Sequence, residues 1–523
     1  MTTPSALPTR LPQLAFGVAC GIGLAGAWIG LTYHSFWFDE LSGAAAIGDA
    51  TDLRATMARI AADTTPPLYY VALFYFAKAF GTGDAALRAF SAFFACASIA
   101  LFVVGTRRCF SLSARLFAAA MATGSMFWFF QSQNARFYTV CLALSAVVLI
   151  LALQILRSPP QSFQRSIYAA LGIVLLLGVF VHYYFTIEGL AVLMVLFLHR
   201  RRERLALCLI GAVLVAATLL YLHFVVTPHV QVDPNNFYIP NTFHWYVAGI
   251  RSAFHYSLGR KGALAIALCL AAIIIGHLSA KRRPALELDG TDTLIVGVPV
   301  LVLVGGIVSS TLFSPNFTDR NLLICSPFLW AIWARLYDWA QQSIGPVARA
   351  CLALALALVV FWMATIVTLR VSPKESPLLW SEPFRQSAEW IRNVPACRGA
   401  VIPVIDLDRK GWYRNDYDQR LFSAIYGRYL QGYATTKIVY LEDIEARRID
   451  PGLADEMRAR LAGKGCPIVG WSAHGIYHDS IPGMRTALLA ALGLQDAPPD
   501  SITIHYFQDG WWGFTFAAGK SVK

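Results

Sequence analysis

Residues 11–40 read LPQLAFGVACGIGLAGAWIGLTYHSFWFDE, and this stretch decides how the rest of the chain is read. Its first 23 positions, Leu11–Tyr33, carry no charged side chain. A run of about 20 apolar residues is what a helix needs to cross the hydrocarbon of a bilayer. The run is too long for the apolar part of a signal peptide. Its end, Tyr33-His34-Ser35-Phe36-Trp37, lacks a small-residue cleavage site, so it reads as an uncleaved first span. Immediately beyond it stand two adjacent carboxylates, Asp39-Glu40, preceded by Phe36-Trp37-Phe38.

The remainder of the sequence repeats the theme. Of 523 residues, 57% are hydrophobic and only 14% are charged, against about 45–50% and about 25% in a soluble domain. Soluble chains of this length divide into domains with wet surfaces, for which this charge is too small. Disorder, collagen and coiled coil are excluded on the same numbers. A polytopic α-helical membrane protein remains, and an aromatic share of 13% suits interfacial belts. Further apolar runs fall near 85–105, 114–131, 137–156, 166–182, 184–199, 205–226, 262–279, 291–313, 320–338 and 347–370, with a shorter one at Pro66–Phe80. About 11–13 transmembrane helices are expected over residues 1–370. Residues 371–523 hold most of the acidic residues and no membrane-length run. Short β-rich segments at Ala400–Ile405, Lys437–Leu441, Pro467–Trp471 and Ile502–Phe507, with a helical Phe384–Val394, predict a soluble α/β domain.

Loop charge sets orientation. Basic clusters at Arg107/Arg108/Arg115, Arg157/Arg165, Arg200/Arg201/Arg202/Arg204, Lys281/Arg282/Arg283 and Arg335/Arg349 alternate with loops poor in positive charge. If the clusters are cytoplasmic, Pro66–Phe80 is not a full crossing, and the C-terminal domain is extracytoplasmic. The net charge of +12 is then a record of topology, with no nucleic acid implied. In the first outer loop, residues 34–65, Leu41, Ala45, Leu53, Met57 and Ile60 recur at helical spacing and predict an amphipathic helix in the membrane interface. Ten cysteines include no CxxC pair, which argues against a zinc knuckle. Cys397 and Cys466 stand alone in the tail. A disulfide in an oxidising compartment and two buried thiols are both open.

Ionisable groups at membrane depth are costly and point to function. Adjacent positions on a helix point about 100° apart. Asp39 and Glu40 therefore cannot face each other as an acid–base dyad, and one working carboxylate is expected. Arg136, in Gln133-Asn134-Ala135-Arg136-Phe137-Tyr138, opens a span where its charge opposes the helix dipole, a cost that an anionic partner repays. Arg320, in Asp319-Arg320-Asn321, opens another, and a guanidinium suits phosphate oxygens. His182-Tyr183-Tyr184 forms an outer turn, and Pro66-Pro67-Leu68-Tyr69-Tyr70 opens the short run. Three patterns are set aside. The GxGxxG match at 21–26 lies inside a span, His474/His478 lack a helical context, and no P-loop is present.

The order of these motifs, from Phe38-Asp39-Glu40 through Thr65-Pro66-Pro67-Leu68-Tyr69-Tyr70, Leu87-Arg88, Ala135-Arg136-Phe137-Tyr138 and His182-Tyr183-Tyr184 to Arg320-Asn321-Leu322, resembles the GT-C glycosyltransferases. The resemblance is to family 39 and its bacterial relatives: protein mannosyltransferases, lipid A aminoarabinose transferases and rhizobial lipopolysaccharide galacturonosyltransferases. It covers roughly residues 11–370. Thr65 departs from it, since many relatives carry His or Lys before the prolines. The resemblance implies an inverting transfer from a polyprenyl-phosphate-linked sugar, on the extracytoplasmic side of the plasma (inner) membrane. The acceptor class spans lipopolysaccharide or lipid A, another glycan and protein. Asp39 is then the general base, with Glu40 positioning it or the acceptor. Arg136, Arg320 and His182 bind the donor phosphate, while Tyr69, Tyr138 and Tyr183 contact substrate. No cofactor is expected, and a divalent metal is left open. A lipid-linked saccharide flippase is the alternative, and a membrane-anchored receptor is a third reading.

Overall fold

The computed structural model describes residues 10–60, 65–159, 165–226, 242–279, 289–313, 315–342, 346–371, 382–406, 416–473, 481–507 and 513–519. The cluster 281–283 and the pair His474/His478 lie outside these residues.

The chain is a multi-pass membrane protein. Five of its described helices are long and apolar enough to cross a bilayer, and four more are shorter and apolar. In chain order the elements begin with α1 Arg10–Gly26, α2 Phe38–Ile47, α3 Leu53–Ile60, α4 Leu68–Phe80 and α5 Asp84–Gly105. Then come α6 Leu112–Gly124, α7 Met126–Ser132, α8 Tyr138–Arg157, α9 Arg165–Val179, α10 Tyr184–His199 and α11 Arg204–Tyr221. The bundle closes with α12 Phe243–Ser279, α13 Gly290–Leu312, the single turn α14 Asp319–Leu322, α15 Ser326–Gln342 and α16 Pro346–Val371. Large apolar side chains face outward, for example Leu205, Leu209 and Val213 on α11, while Leu207 and Leu214 of the same helix are buried. That is the inverse of a soluble surface, and lipid takes the place of water.

The helix ends sort into two faces. At one, α5 ends beside Arg107 and Arg108, α8 at Arg157 and α10 at Arg200. Arg157 donates to the Arg108 carbonyl, and Arg200 donates to the Ile155 and Ser158 carbonyls at the close of α8. Cations at helix C-termini satisfy both the free carbonyls and the dipole. At the other face, α5, α8 and α10 begin at Asp84, Tyr138 and Tyr184, next to Arg88, Arg136 and His182.

Three local features differ from the sequence expectation. The predicted amphipathic helix is two helices, α2 and α3, because Gly48 and Ala50 take positive φ (59° and 58°). Arg59 then folds back to donate to the Ala46 carbonyl at the end of α2 (2.7 Å). A Cβ on Gly48 would meet the Arg59 guanidinium at 2.9 Å. Nor is α2 an interfacial helix: Leu41, Ala44, Ala46 and Ile47 are buried, and it packs on α3, α4 and a helix of the C-terminal domain. The run 114–131 is broken at Ser125, whose hydroxyl caps α7 through Trp128 N (3.2 Å). Finally, residues 243–258, read as part of a long loop, form the first half of α12. At about 1.5 Å per residue its 37 residues exceed a bilayer's thickness, and Gly259 (φ 59°) breaks it in the middle.

The C-terminal domain contains α17 Phe384–Arg392, α18 Asp416–Gly427, α19 Leu441–Glu445, α20 Pro451–Leu461 and α21 Ile481–Ala491 around five strands. The strands are β1 Val401–Asp406, β2 Thr435–Tyr440, β3 Ile468–Ser472, β4 Ile502–Phe507 and β5 Gly513–Ala518, in the order β2-β1-β3-β5-β4. The β1 strand pairs in parallel with β2 and β3, and β5 runs antiparallel to β3 and β4. Val404, Ile405, Val469 and Phe514 are fully buried beneath the helices. Cys397 and Cys466 form a disulfide that ties the turn after α17 to the chain entering β3. Closing a loop of sequence separation 69 stabilises by about 4 kcal/mol on the chain-entropy account. Cys397→Ser in the full chain should therefore lower the melting temperature of the tail. In the unsubstituted protein, peptides containing the two cysteines should separate only after reduction.

Candidate active site

The site grows from the end of α1. The helix unwinds after Gly26, and its last carbonyls need donors. Gln133, in the turn after α7, supplies them: its amide nitrogen reaches the carbonyls of Gly26 (3.1 Å), Ala27 (3.2 Å) and Ile29 (2.6 Å). Arg88, in the second turn of α5, takes the next set. It donates to the carbonyls of Leu31 and His34 (2.8 Å each) and Ser35 (2.9 Å). Its remaining hydrogen bonds go to Glu40, as a two-pronged pair at 2.8 and 2.6 Å. Both partners are buried, with side chains 6% and 1% exposed. Glu40 also accepts from the backbone of Ala135 (2.7 Å) and reaches back to Trp37 N (3.3 Å), closing the first turn of α2. The Glu40 carboxylate is thus committed to structure.

Asp39, one residue earlier, points elsewhere. Its carboxylate lies 3.9 Å from the Arg320 guanidinium, and both side chains are 33% exposed. This spacing is longer than a hydrogen bond, so the two charges face one another without consuming each other's valences. Arg136 is buried below and donates to the Asp39 carbonyl (3.1 Å) and the Tyr70 hydroxyl (3.4 Å). Arg320 lies over the rings of Trp37 (5.4 Å) and Tyr138 (5.9 Å), a cation–π setting. Its backbone is set by the loop before it. There Thr318 caps α14, and Asn316 accepts from Tyr184 and Asn321.

Arg320 opens on a cavity of about 590 Å³. Its wall is largely aromatic, with Trp37, Phe127, Phe130, Trp245, Tyr256 and Phe317. A few polar groups converge there, among them Asn134, which accepts from Trp37 Nε1 (3.0 Å). Asp319 is another, and its carboxylate accepts from the Ser252 hydroxyl (2.5 Å) and from Arg320 N (2.7 Å). The composition, apolar rings with a few polar groups, suits an apolar ligand with a polar head.

The sequence-predicted residues divide. Asp39, Arg136, Arg320 and Tyr138 are brought together, and of these Arg320 lines the cavity, as do Glu40 and Arg88. Tyr69 is buried against Tyr70, Phe90 and Phe137 and is not on the wall of this cavity. Tyr183 faces Tyr221 on α11 and likewise lies off the cavity wall. His182 stacks on Phe137 (4.5 Å), and its Nδ1 accepts from Tyr184 N (3.3 Å), which spends one ring nitrogen on the turn. Sequence reasoning missed Trp245, Gly249, Ser252 and Tyr256. They recur at helical spacing, but His244, Arg251 and His255 interrupt the apolar pattern and disguised the helix. Arg88 was noticed only as part of a motif. Its partnership with Glu40 spans 48 positions and leaves no local trace.

No protein-family model and no curated protein sequence matches the chain. Solved structures do. ArnT from Cupriavidus metallidurans bound to undecaprenyl phosphate aligns over 98% of this chain and 100% of its own, at 14% identity and TM-score 0.53. The fold is that of the GT-C glycosyltransferases. The arabinofuranosyltransferase AftD from Mycobacteria (15% identity, TM-score 0.47) aligns over 99% of this chain and 40% of its own. The oligosaccharyltransferase of Archaeoglobus fulgidus (13% identity, TM-score 0.43) aligns over 98% of this chain and 74% of its own.

The buried pair yields a stability prediction. Arg88→Ala strands the Glu40 charge and should destabilise the full chain by about 3–5 kcal/mol, read as an early thermal transition in detergent. Replacing both partners, Glu40→Gln with Arg88→Met, should recover part of that loss.

Proposed function

We propose that this chain is an inverting glycosyltransferase. It moves a sugar from a polyprenyl-phosphate donor to a hydroxyl or amine of an extracytoplasmic acceptor. The observation that carries this reading is the Asp39–Arg320 pair, a carboxylate and a guanidinium 3.9 Å apart, with Arg320 on the wall of a cavity rich in aromatic rings. Undecaprenyl phosphate, to which ArnT is bound in its structure, has the chemistry that such a cavity suits.

The reaction asks for one base and for cations, and of the adjacent pair Asp39 and Glu40 it is Asp39 that Arg88 leaves unbound. Asp39 takes the proton of the acceptor group as its oxygen or nitrogen attacks the anomeric carbon. The bond from that carbon to the phosphate oxygen breaks on the opposite face, and the lipid phosphate departs as an anion. Arg320 meets the charge that develops on it, and Arg136, one layer below, adds to the positive field. Glu40 acts through position alone, holding α2 so that Asp39 faces Arg320. His182 supports Phe137 by stacking on it, and Phe137 in turn packs on Tyr138 beneath Arg320. The acceptor class comprises lipopolysaccharide or lipid A, another glycan and protein.

The reading places the site and the C-terminal domain on the extracytoplasmic side of the plasma membrane. Two observations support that side. The Cys397–Cys466 disulfide is the chemistry of an oxidising compartment. Arg107, Arg108, Arg157 and Arg200 gather at the opposite helix ends, as the positive-inside rule expects of a cytoplasmic face.

Purified full-length protein in nanodiscs, given polyprenyl-phosphate sugars and envelope extract, should form a glycosylated product by mass spectrometry. Asp39→Asn should lower turnover by about 10²–10⁴-fold without loss of fold, and Arg320→Ala should lower kcat/KM by about 10²–10³-fold. Undiminished transfer by Asp39→Asn would remove Asp39 as the base.

A further inference from the structure

The loop that delivers Asp39 is held from two sides. From the membrane side, Arg88 takes the carbonyls of Leu31, His34 and Ser35. From the other side, side chains more than 340 positions later take the remaining polar groups. Glu382 accepts from Phe38 N through its carboxylate (2.7 Å), and its carbonyl accepts from the Ser35 hydroxyl (2.7 Å). The Tyr429 hydroxyl accepts from Phe36 N (2.9 Å). Arg385 donates to the carbonyls of Thr32 (2.6 Å) and His34 (3.2 Å). The Phe38 ring, next to Asp39, stacks on Phe422 (5.7 Å) and packs against Tyr426 of α18 (6.1 Å).

Two of these residues, Arg385 and Tyr429, also meet one carboxylate of the membrane bundle. Asp84, in the first turn of α5, receives Tyr429 (2.6 Å), Arg385 (2.5 Å) and Arg428 (3.3 Å) from the C-terminal domain. It lies one helical turn from Arg88, which holds Glu40. Burial, reinforced by the Asp84 charge, pushes the Tyr429 phenol up to about 12, so it stays protonated and donates. The first two turns of α5 thus present one anion to the tail and one cation to the loop, on a rigid element that fixes both.

We propose that the C-terminal domain is part of the catalytic apparatus: Glu382, and Arg385 and Tyr429, which are anchored on Asp84, are positioning residues that set the backbone at 32–38 and thereby aim Asp39 at the reacting atoms. The catalytic half of this inference rests on the proposed glycosyl transfer; the positional half does not. Among the described residues the Asp39 carboxylate pairs with Arg320 at 3.9 Å and is one-third exposed. Its aim is therefore inherited from the loop, and errors of about 1 Å in such aim cost up to about 10²-fold in rate.

The test uses the full chain in nanodiscs and reads two quantities. The first is hydrogen exchange at the amides of Phe36 and Phe38, which needs no knowledge of the substrate. Glu382→Ala and Tyr429→Phe should each speed exchange at the amide they leave unpaired. Glu382→Gln, which keeps an acceptor oxygen, should leave Phe38 close to wild type. The second quantity is steady-state transfer. Glu382→Ala should lower kcat at least about tenfold while the KM for the lipid donor moves less than about threefold, and Glu382→Gln should restore most of kcat. Melting temperature and an intact Cys397–Cys466 disulfide in each variant separate mispositioning from unfolding. Unchanged exchange in Glu382→Ala and Tyr429→Phe overturns the inference, as does unchanged kcat in a preparation where Asp39→Asn is inactive. If Asp39→Asn transfers like wild type, the proposed function falls, and the exchange data alone decide whether the tail holds the loop.

Discussion

The buried pair between Glu40 and Arg88 is the interaction on which the rest of this site depends. A carboxylate and a guanidinium removed from water are tolerable only when nearly all their hydrogen-bonding capacity is used. Here the two-pronged contact, the Ala135 amide, the Trp37 amide and three loop carbonyls use it. The pair joins α2, α5, the loop leaving α1 and the turn entering α8 at one point. It also resolves the adjacency of Asp39 and Glu40. Once Glu40 is pinned inward, the helix rotates its neighbour about 100° away, toward Arg320 at 3.9 Å. Two carboxylates side by side in sequence take separate tasks because only one can point at Arg88.

A second charge constraint sits one turn away. Asp84 and Arg88 lie on one stripe of α5, and each draws in a different part of the chain. The membrane bundle and the C-terminal sheet domain meet at the loop 31–38, and that loop leads directly into Asp39. The α2 helix, covered by α18 and α4, is an internal part of this junction rather than a float on the bilayer. A single-span anchor with an independent tail would have no use for such an arrangement.

Much of the membrane architecture was legible because it is written as local composition. Apolar runs of bilayer length, basic turns and a tail with alternating short strands all appear within windows of about 20 residues. Asp39, Arg136 and Arg320 were legible for a related reason: a charge at the mouth of an apolar helix has few structural excuses. The misses have physical causes. Tyr69 and Tyr183 sit in motifs beside the site, but side-chain direction depends on helix phase, which turned them into the core and toward α11. The residues 243–258 form a helix with one cavity-facing side and charged residues interspersed, so their average character resembled a loop. The split of α2 from α3 rests on backbone angles at Gly48 and Ala50 that apolar spacing does not encode.

The sequence by itself determined that this chain crosses a membrane many times, which helix ends carry the basic turns and which few ionisable residues gather at the opposite face. Those properties follow from transfer free energies that each segment meets on its own. Only the tertiary structure decided which of two neighbouring carboxylates is available, which tyrosines line the cavity, and that the tail grips the loop before Asp39. These depend on pairings across 48 to more than 340 positions. A buried charge has to find a partner, and where that partner lies is set by packing rather than by its neighbours in the chain.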